Sequence, residues 1–412
     1  PPLPLAMSTP SLRASASPRE LFILLTIIIS ATTVHADDIS FSKQQLTDIF
    51  YSEGVAVADV DNDGKTDVIA GPFWYRAPQF KQKRGIAAPH AYDPRSYSNA
   101  FIMGSYDFNY DGLTDVLRIG WPGRAGHWLE NPGKVRQDWT PHLITPEVGT
   151  ESPQLLNLVG DERPELILAT EKKLGWVAPT KGAHPTKPWT FHPITGEDHW
   201  QRYTHGVGAG DVNGDGRQDM LTATGWFEQP ADLTDGPLWD FHPAEFGTKG
   251  GAQMYAYDVN GDGLNDVITS IHAHGYGLSW FEQKQNADGT TTWIDHPIIS
   301  REPDTLVRGV QFSQAHAVEF VDMNGDGLKD IISGKRYWAH GPGKDAGADA
   351  PPVIYWFELI RHADGTAHFE PHLVDDSSGV GTQFVVEDIN NDNRPDIVAS
   401  NKGGIFIFLQ EK

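Results

Sequence analysis

One nine-residue acidic pattern recurs along this chain and constrains its fold more than any other feature. It occurs six times, in segments that begin at Asp59, Asp107, Asp211, Asp258, Asp322 and Asp388. Oxygen-bearing side chains stand at positions 1, 3, 5 and 9, and glycine usually stands at position 6. A degenerate seventh copy begins at Asn157, in the gap where the spacing requires one. Recurrence at a period of about 50 residues predicts a repeat protein.

The alternating oxygen side chains predict loops that wrap a calcium ion. Ca²⁺ takes six to eight oxygen ligands, and the glycine allows the sharp bend that turns alternate side chains inward. The predicted ligands are Asp59, Asp61, Asp63, Asp67, Asp107, Asn109, Asp111, Asp115, Asp211, Asn213, Asp215, Asp219, Asp258, Asn260, Asp262, Asp266, Asp322, Asn324, Asp326, Asp330, Asp388, Asn390, Asp392 and Asp396. Ordinary turns also favour Asp, Asn and Gly, but six copies at one period favour the ion.

These loops join strands and do not belong to EF-hands. An EF-hand loop needs a glutamate at position 12 and flanking helices, and the sequence has neither. A short β-branched run follows the loops instead, as at Val68-Ile69 and Ile331-Ile332. Each unit then carries a third strand with an aromatic-aromatic-Glu motif, such as Trp280-Phe281-Glu282. A fourth strand carries an aromatic residue three positions before a histidine, such as Trp293 and His296.

Four short strands per unit without helical periodicity predict the blades of a β-propeller. We expect an all-β, seven-bladed propeller that occupies residues 37–412 as one domain. The chain stops one strand short in its last unit, and residues 39–47 provide an unassigned strand before the first unit. We therefore expect the N-terminal strand to complete the last blade and close the ring, which removes an open sheet edge.

Charge and composition restrict the partners and the compartment. The formal net charge is −23, which argues against nucleic acid as a partner, because its phosphates need a basic surface. Residues 1–36 are predicted to comprise upstream residues and a signal peptide, with an apolar core at 21–29 that is too short for a stable membrane span. The chain contains no cysteine. We expect a secreted or periplasmic protein that calcium, and not disulfides, stabilises.

The acidic loops resemble VCBS/FG-GAP repeats, the calcium-bearing blades of integrin α-chain propellers. The aromatic-aromatic-Glu strands resemble those of secreted bacterial VCBS proteins and, more loosely, the propeller half of aldos-2-ulose (1,5-anhydrofructose) dehydratases. The first resemblance covers nearly all of residues 39–412 and implies a calcium-stabilised propeller. The second implies action on carbohydrate, but it covers only the propeller half and transfers no catalytic residue to this chain.

Candidate site residues follow from repeat geometry, because equivalent positions converge on the propeller axis. Each first strand starts six residues before its loop, at the face opposite the loops. These positions hold Glu53, Phe101, Glu151, His205, Ala252, His316 and Thr382. Loops after the second strands reach the same face and carry His272, His274, Arg336, Tyr337, His340 and Lys402. The sequence therefore predicts a cluster of imidazoles, carboxylates and cations at one mouth of the channel.

The chemistry of this cluster has several interpretations. The spacing of His272 and His274 places both rings on one face of an extended segment. This suits a pair of ligands to a divalent metal, and equally a base with a substrate-orienting partner. Histidine beside Arg, Lys and Tyr suits proton abstraction next to a carbonyl or carboxylate. Glu53 and Glu151 could instead form a glycosidase pair. The fourth-strand histidines, which recur at one position, are expected to be structural. Residues 90–99 lie with Trp74 and Tyr75 in an insertion that could form a sugar platform.

The sequence favours a secreted, calcium-stabilised propeller that acts on carbohydrate. The predicted reaction is β-elimination at the channel mouth, by a sugar dehydratase or a polysaccharide lyase. A non-catalytic propeller that binds glycans or proteins, as adhesion proteins do, is the alternative, since the fold alone does not specify function.

Overall fold

A computed structural model describes residues 39–411 except 134–136, 162, 197–199, 201 and 248. The described part contains 28 strands, joined by turns and loops. In chain order they are β1 (Phe41–Thr47), β2 (Ala56–Ala58), β3 (Asp67–Ala70), β4 (Phe73–Arg76), β5 (Gln82–Gly85), β6 (Ile102–Tyr106), β7 (Asp115–Ile119), β8 (Arg124–Glu130), β9 (Thr140–Val148), β10 (Gln154–Leu156), β11 (Glu165–Thr170), β12 (Lys173–Ala178), β13 (Thr190–Pro193), β14 (Val207–Gly210), β15 (Asp219–Thr222), β16 (Gly225–Glu228), β17 (Asp240–Pro243), β18 (Gln253–Tyr257), β19 (Asp266–Ser270), β20 (Leu278–Gln285), β21 (Thr291–Ile299), β22 (Ala315–Val321), β23 (Asp330–Lys335), β24 (Ile354–Arg361), β25 (Ala367–Asp375), β26 (Phe384–Glu387), β27 (Asp396–Asn401) and β28 (Gly404–Gln410).

The strands form antiparallel four-stranded blades, as the repeat pattern predicts. Five sheets stand separately, with the orders β2-β3-β4-β5, β6-β7-β8-β9, β10-β11-β12-β13, β22-β23-β24-β25 and β1-β28-β27-β26. The remaining eight strands form one sheet with the order β17-β16-β15-β14-β18-β19-β20-β21. The number of separate four-stranded sheets is therefore five, and the expectation of seven separate blades is not confirmed.

Glycine in β14 explains why two sets of four strands merge. The parallel pairs Val207↔Gln253 and Gly208↔Met254 join β14 to β18. A methyl group on Gly208 would overlap the carbonyl of Met254, and one on Gly210 would meet Ala256. Because these glycines lack side chains, the two backbones approach closely enough to pair. The acidic repeats gave no sign of this contact.

The N-terminal strand pairs with the C-terminal one. Strand β1 runs antiparallel to β28, with Phe41 opposite Gln410 and Thr47 opposite Ile405. The sheet of the last repeat thus takes its fourth strand from the other end of the described chain. A cavity of about 400 Å³ is lined by residues of β2, β6, β10, β14, β18, β22 and β26, the first strands of the repeats.

The acidic loops are held by hydrogen bonds from their own backbone. In the loop that begins at Asp211, its two carboxylate oxygens accept the N–H groups of Asp215 (3.0 Å) and Gly216 (2.9 Å). The carboxylate at position 9, Asp219, is buried and accepts the N–H groups of Val212 and Gln229, each at 2.9 Å. Position 9 therefore ties the loop to the end of the third strand, and burial raises the pKa of Asp219 to about 6.

Four of the five fourth-strand histidines, those at 142, 242, 296 and 372, lie between a tryptophan and a glutamate. The His296 ring stacks on Trp280 at 4.1 Å between centroids, and its Nε2 lies 2.9 Å from Glu282 Oε2. Glu282 also accepts a hydrogen bond of 2.7 Å from Asn260, at position 3 of the acidic loop. This arrangement couples the outer strand to the loop, which accounts for the recurrence of the motif.

The predicted signal peptide lies outside the described residues. Within residues 39–411, apart from the gaps given above, no helix is long and apolar enough to span a membrane. Trp74 and Tyr75, which the sequence placed in an insertion, belong to strand β4 and are buried. The correction follows from the blade order, because Trp74 pairs with Ile69 of the preceding strand.

Candidate functional site

Four side chains from four repeats meet at the face opposite the acidic loops. Glu151 and His205 immediately precede the short strands β10 and β14, and His316 is the second residue of β22. His274 lies in the turn after β19. One ligand atom from each of these residues lies within 4.8 Å of the others. We call these four residues the His3Glu cluster.

Two imidazole nitrogen atoms of the cluster lie close to the Glu151 carboxylate. His316 Nε2 lies 3.1 Å from Glu151 Oε2, and His205 Nε2 lies 3.3 Å from the same oxygen. The ring of His205 is 5.0 Å from that of His274 and 5.1 Å from that of His316. His274 Nδ1 and His316 Nδ1 are buried and have no hydrogen-bond partner among the described residues. Three imidazoles and one carboxylate, with two of the imidazoles carrying an unsatisfied nitrogen atom, fit a transition-metal ion such as Zn²⁺.

Burial keeps two of these imidazoles, those of His274 and His316, in the neutral state that binds metal. It lowers the pKa of His274 to about 2, together with the nearby His316, His205 and Arg336. Burial and Arg336 lower the pKa of His316 to about 4. Burial alone would raise the pKa of Glu151, but the neighbouring His205 and His316 hold it well below its ordinary value. At neutral pH the cluster therefore offers the carboxylate of Glu151 and the neutral imidazoles of His274 and His316 as ligands.

Arg336 provides the positive charge beside the cluster. Its Nη1 lies 3.6 Å from Glu151 Oε2, and its Nη2 lies 3.1 Å from Glu53 Oε1. Glu53 is almost fully buried and also accepts hydrogen bonds from the backbone and the hydroxyl of Ser98. Because both predicted glycosidase carboxylates contact one guanidinium, this arrangement disfavours the pair and assigns Glu53 the task of orienting Arg336.

His340 and Asp345 form a dyad at the edge of the cluster. The Asp345 carboxylate accepts hydrogen bonds from the His340 backbone N–H (2.9 Å) and from its Nδ1 (2.8 Å). The His340 ring lies 4.5 Å from that of His274, and its side chain is 49% exposed. A carboxylate on Nδ1 fixes the tautomer whose Nε2 carries a lone pair. His340 is thus prepared to act as a base or as a further ligand.

A cavity of about 390 Å³ adjoins the cluster and has aromatic walls. Its lining includes Glu151, His205, His274, Arg336 and His340. Tyr97, Phe101, Trp121, Pro122 and Tyr203 complete the lining. The rings of Tyr97 and Trp121 are parallel within 16° at 6.2 Å between centroids. Apolar walls around a few convergent polar groups are typical of a small-molecule site.

Five predicted site residues are not in the lining of this cavity: His316 and Glu53, whose contacts are given above, and His272, Tyr337 and Lys402. The segment from His272 to Tyr276 is a turn, so the assumption of an extended segment was wrong. The rings of His272 and His274 are nearly perpendicular, with centroids 6.4 Å apart. His272 belongs to none of the possible metal-binding groups found among the described residues. Tyr337 packs against Trp338. Lys402 donates to the carbonyl of Ala339 and lies 4.7 Å above the ring of Tyr97.

Lys402 nevertheless affects the electrostatics of this face. Burial lowers the pKa of its ammonium group to about 8, with opposing effects from Glu53 and Arg336. Because Tyr97 lines the cavity, the cation lies behind one aromatic wall, where it can strengthen the attraction for an anionic ligand.

The sequence reasoning missed Asp345 and the aromatic walls. Tyr97 lies in the stretch proposed as a sugar platform. Trp121 follows β7, in the same place within its repeat as His272 and Arg336 within theirs, so repeat alignment could have identified it. Asp345 had no such signal, because it lies in a loop that no other repeat contains.

The acidic loops present the second kind of candidate metal site. Asp59, Asp61 and Asp67 each place one oxygen within 4.8 Å of the others. Arg76 contacts this loop through Asp61 (2.7 Å) and Asp63 (2.6 Å). The remaining loops have asparagine at position 3, and their position 9 carboxylates bond to backbone N–H groups in the same way as Asp219. Calcium in these loops stays a prediction.

Comparisons with known proteins support the repeat class and the fold. Residues 258–333 match the family model of the FG-GAP-like repeat. No curated protein matches the chain. A crystal structure of BBS1N in complex with ARL6DN, soaked with lead, aligns with a TM-score of 0.50 and 9% identity over 91% of this chain and 97% of that chain. At this identity the likeness shows the fold alone, an all-β propeller with four-stranded blades.

A second solved structure is more distant. The biofilm matrix protein Bap1 of V. cholerae aligns with a TM-score of 0.32 and 13% identity over 83% of this chain and 44% of that chain. Neither structure bears on the dehydratase resemblance, which stays a prediction.

Proposed function

We propose that this protein is a metal-assisted carbohydrate lyase that works by β-elimination at the His3Glu cluster. The convergence of Glu151, His205, His274 and His316 beside an aromatic-walled cavity carries the proposal. Buried, neutral imidazoles with unsatisfied nitrogen atoms are costly to the fold unless a ligand uses them. The aromatic walls suit the apolar faces of a pyranose ring, and Arg336 suits a carboxylate or carbonyl oxygen.

Each group has a role in this chemistry. A divalent ion held by the His3Glu cluster would supply Lewis-acid stabilisation of negative charge on the substrate oxygen. Arg336 stabilises the same developing charge, and Glu53 orients it. His340 Nε2 accepts the proton on the carbon next to the carbonyl or carboxylate, and Asp345 stabilises the resulting imidazolium. The bond between the next carbon and its oxygen substituent then breaks, the electron pair leaves with that oxygen, and a C=C bond forms.

The first test measures metal and product in matched histidine variants. His316→Ala should remove about one equivalent of bound Zn²⁺ and lower turnover by about 10² to 10⁴. His296→Ala, which removes a fourth-strand histidine stacked on Trp280, should retain both. His340→Ala should retain the metal and lose turnover. Elemental analysis after Zn²⁺ loading gives the metal content, and absorbance of the unsaturated product gives the rate, with uronate glycans and keto-sugars as substrates.

The outcomes separate the lyase from a glycan-binding propeller. Absence of Zn²⁺ binding, or retention of the metal in His316→Ala, would overturn the metal centre. Absence of product from every sugar, with glycan binding that is unchanged in His316→Ala, would favour the adhesion-type alternative. The FG-GAP-like repeat is equally compatible with a lyase and with an adhesion-type protein.

We also propose seven blades closed by the N-terminal strand. The eight-stranded sheet is interpreted as two blades joined at their inner strands by two residue pairs. The first strands of seven repeats line one cavity, and β1 pairs with β28. Calcium in the six acidic loops, and export by the predicted signal peptide, complete the proposal. The proposal includes no nucleic-acid partner, because the net charge of −23 argues against binding to phosphates.

A further inference from the structure

A second cavity borders His205 and is larger than the first cavity, the one of about 390 Å³ beside the His3Glu cluster. It has a volume of about 680 Å³ and is lined by residues that follow β13, precede β14 and belong to β15, β16 and β17. His205 lines both cavities. Its side chain is 10% exposed, and no other described residue lines both cavities. The His3Glu cluster and the second cavity therefore lie next to each other, on the two sides of this ring.

The walls of the second cavity are aromatic and partly open to solvent. Phe227 and Phe241 lie 4.8 Å apart between ring centroids, on neighbouring strands. Phe241 is 45% exposed and Leu238 59% exposed, although both are large apolar side chains. Trp239 is buried in the wall. Exposed apolar side chains that gather at a concave surface indicate binding, whereas single ones do not.

The charge of the second cavity differs from that of the first. Among the described lining residues, Lys249 is the charged one apart from His205. Threonine hydroxyls provide the other polar groups, and that of Thr222 already donates to the carbonyl of Gly225 at 2.9 Å. The described lining of the second cavity therefore offers ring faces with few strong acceptors or donors. Such a surface suits a sugar ring that makes contacts through its C–H faces and undergoes no chemistry.

We propose that the second cavity is the subsite for the leaving group of the elimination, and that this group is a neighbouring sugar unit of a glycan. The inference rests on the proposed function and selects the polysaccharide lyase over the monosaccharide dehydratase. A dehydratase expels one hydroxide and needs no space beyond the reacting sugar. A cavity of about 680 Å³ next to the reacting centre provides room for a further unit of the chain.

The reaction balances without an oxidant or reductant. The uronate unit in the first cavity loses the proton on the carbon that bears its carboxylate. The glycosidic C–O bond at the adjacent carbon breaks, and its electron pair stays on the oxygen of the departing sugar. That oxygen takes up a proton from water and becomes a hydroxyl group in the second cavity, while His340 Nε2 holds the proton taken from the carbon and later releases it to water. The unit in the first cavity retains a C=C bond conjugated with its carboxylate, which absorbs in the ultraviolet.

The experiment compares Phe241→Ala with Phe191→Ala. Phe191 occupies the same position in β13 that Phe241 occupies in β17, directly before the stacked histidine of each strand. Phe191 does not line the second cavity. The substrates are trisaccharides of 4-linked galacturonate, mannuronate and glucuronate, each with its matching monosaccharide. Melting temperatures of both variants establish that the fold is intact.

The wild-type chain should process one trisaccharide with a kcat/KM at least about tenfold above that of its monosaccharide. Phe241→Ala should lower kcat/KM for the trisaccharide by about tenfold and leave that for the monosaccharide unchanged, and Phe191→Ala should change neither. Phe227→Ala, on the neighbouring strand β16, should likewise lower kcat/KM for the trisaccharide alone. Equal rates for mono- and trisaccharide, or equal losses on both, would overturn the subsite while leaving the lyase in place.

Binding distinguishes failure of the subsite from failure of the lyase. Trp239 in the cavity wall reports occupancy through its fluorescence, which does not require turnover. Trisaccharide binding that Phe241→Ala weakens, without product, would retain the sugar subsite and overturn elimination. Absence of both binding and product with all three trisaccharides would overturn the subsite as well.

Discussion

Glu319 should make the stability of the fold depend on pH. It lies in β22 and lines the cavity that the first strands enclose, with Gln253, Gln383 and Glu387. Burial raises its pKa from 4.5 to about 8. The folded protein therefore holds a proton on Glu319 that the unfolded chain releases above pH 4.5. Stability falls as pH rises between these two values, because the unfolded state then binds fewer protons than the folded state.

The magnitude follows from the shift. One pKa unit corresponds to about 1.4 kcal/mol, and between pH 5.5 and 8.5 the shift of Glu319 gives a loss of about 3 kcal/mol. Water in the cavity, whose volume is about 400 Å³, screens the charge and reduces the expected loss to about 2 kcal/mol. Glu319→Gln keeps the shape without the ionisation, so its advantage over wild type should grow by about 2 to 3 kcal/mol across this range.

Urea unfolding followed by tryptophan fluorescence at pH 5.5, 7.0 and 8.5 measures this difference, with calcium saturating throughout. Glu245→Gln, at an exposed position, is the control, and its difference from wild type should be the same at all three values. Parallel stability curves for Glu319→Gln and wild type would refute the assignment of a protonated carboxyl to the cavity. An advantage that shrinks as pH rises would show that the sign is wrong.

Three further predictions concern the scaffold. Chelation of calcium should lower the melting temperature by roughly 5 °C or more, because an ion that binds only the native state stabilises it; a melting curve that EGTA does not move would contradict this. Deletion of residues 37–48 should abolish cooperative unfolding or cause aggregation, since β28 loses its partner, whereas deletion of 1–36 should not. His296→Ala should cost about 1 to 2 kcal/mol in urea unfolding through loss of the Trp280 stack and the Glu282 contact, and an unchanged midpoint would show that the motif is not structural.

The site shows where sequence reasoning succeeds and where it stops. Repeat alignment predicted that Glu151, His205 and His316 share one face, because equivalent positions of radially arranged repeats converge. It also predicted that loops after second strands reach that face, and His274, Arg336 and His340 do so. It did not separate His274 from His272, since the turn that rotates one ring inward depends on local backbone geometry.

The sequence by itself determined the repeat class, the four-stranded blade and the structural position of the fourth-strand histidines. Each depends on contacts within one repeat, such as the bonds of Asp211 to its own loop, and these recur with the sequence period. Only the tertiary structure decided the pairing of Arg336 with Glu53 and Glu151, the dyad of Asp345 with His340 and the merging of β14 with β18. These contacts join separate repeats or loops that occur once, so their geometry depends on how the repeats pack against one another and leaves no period in the sequence.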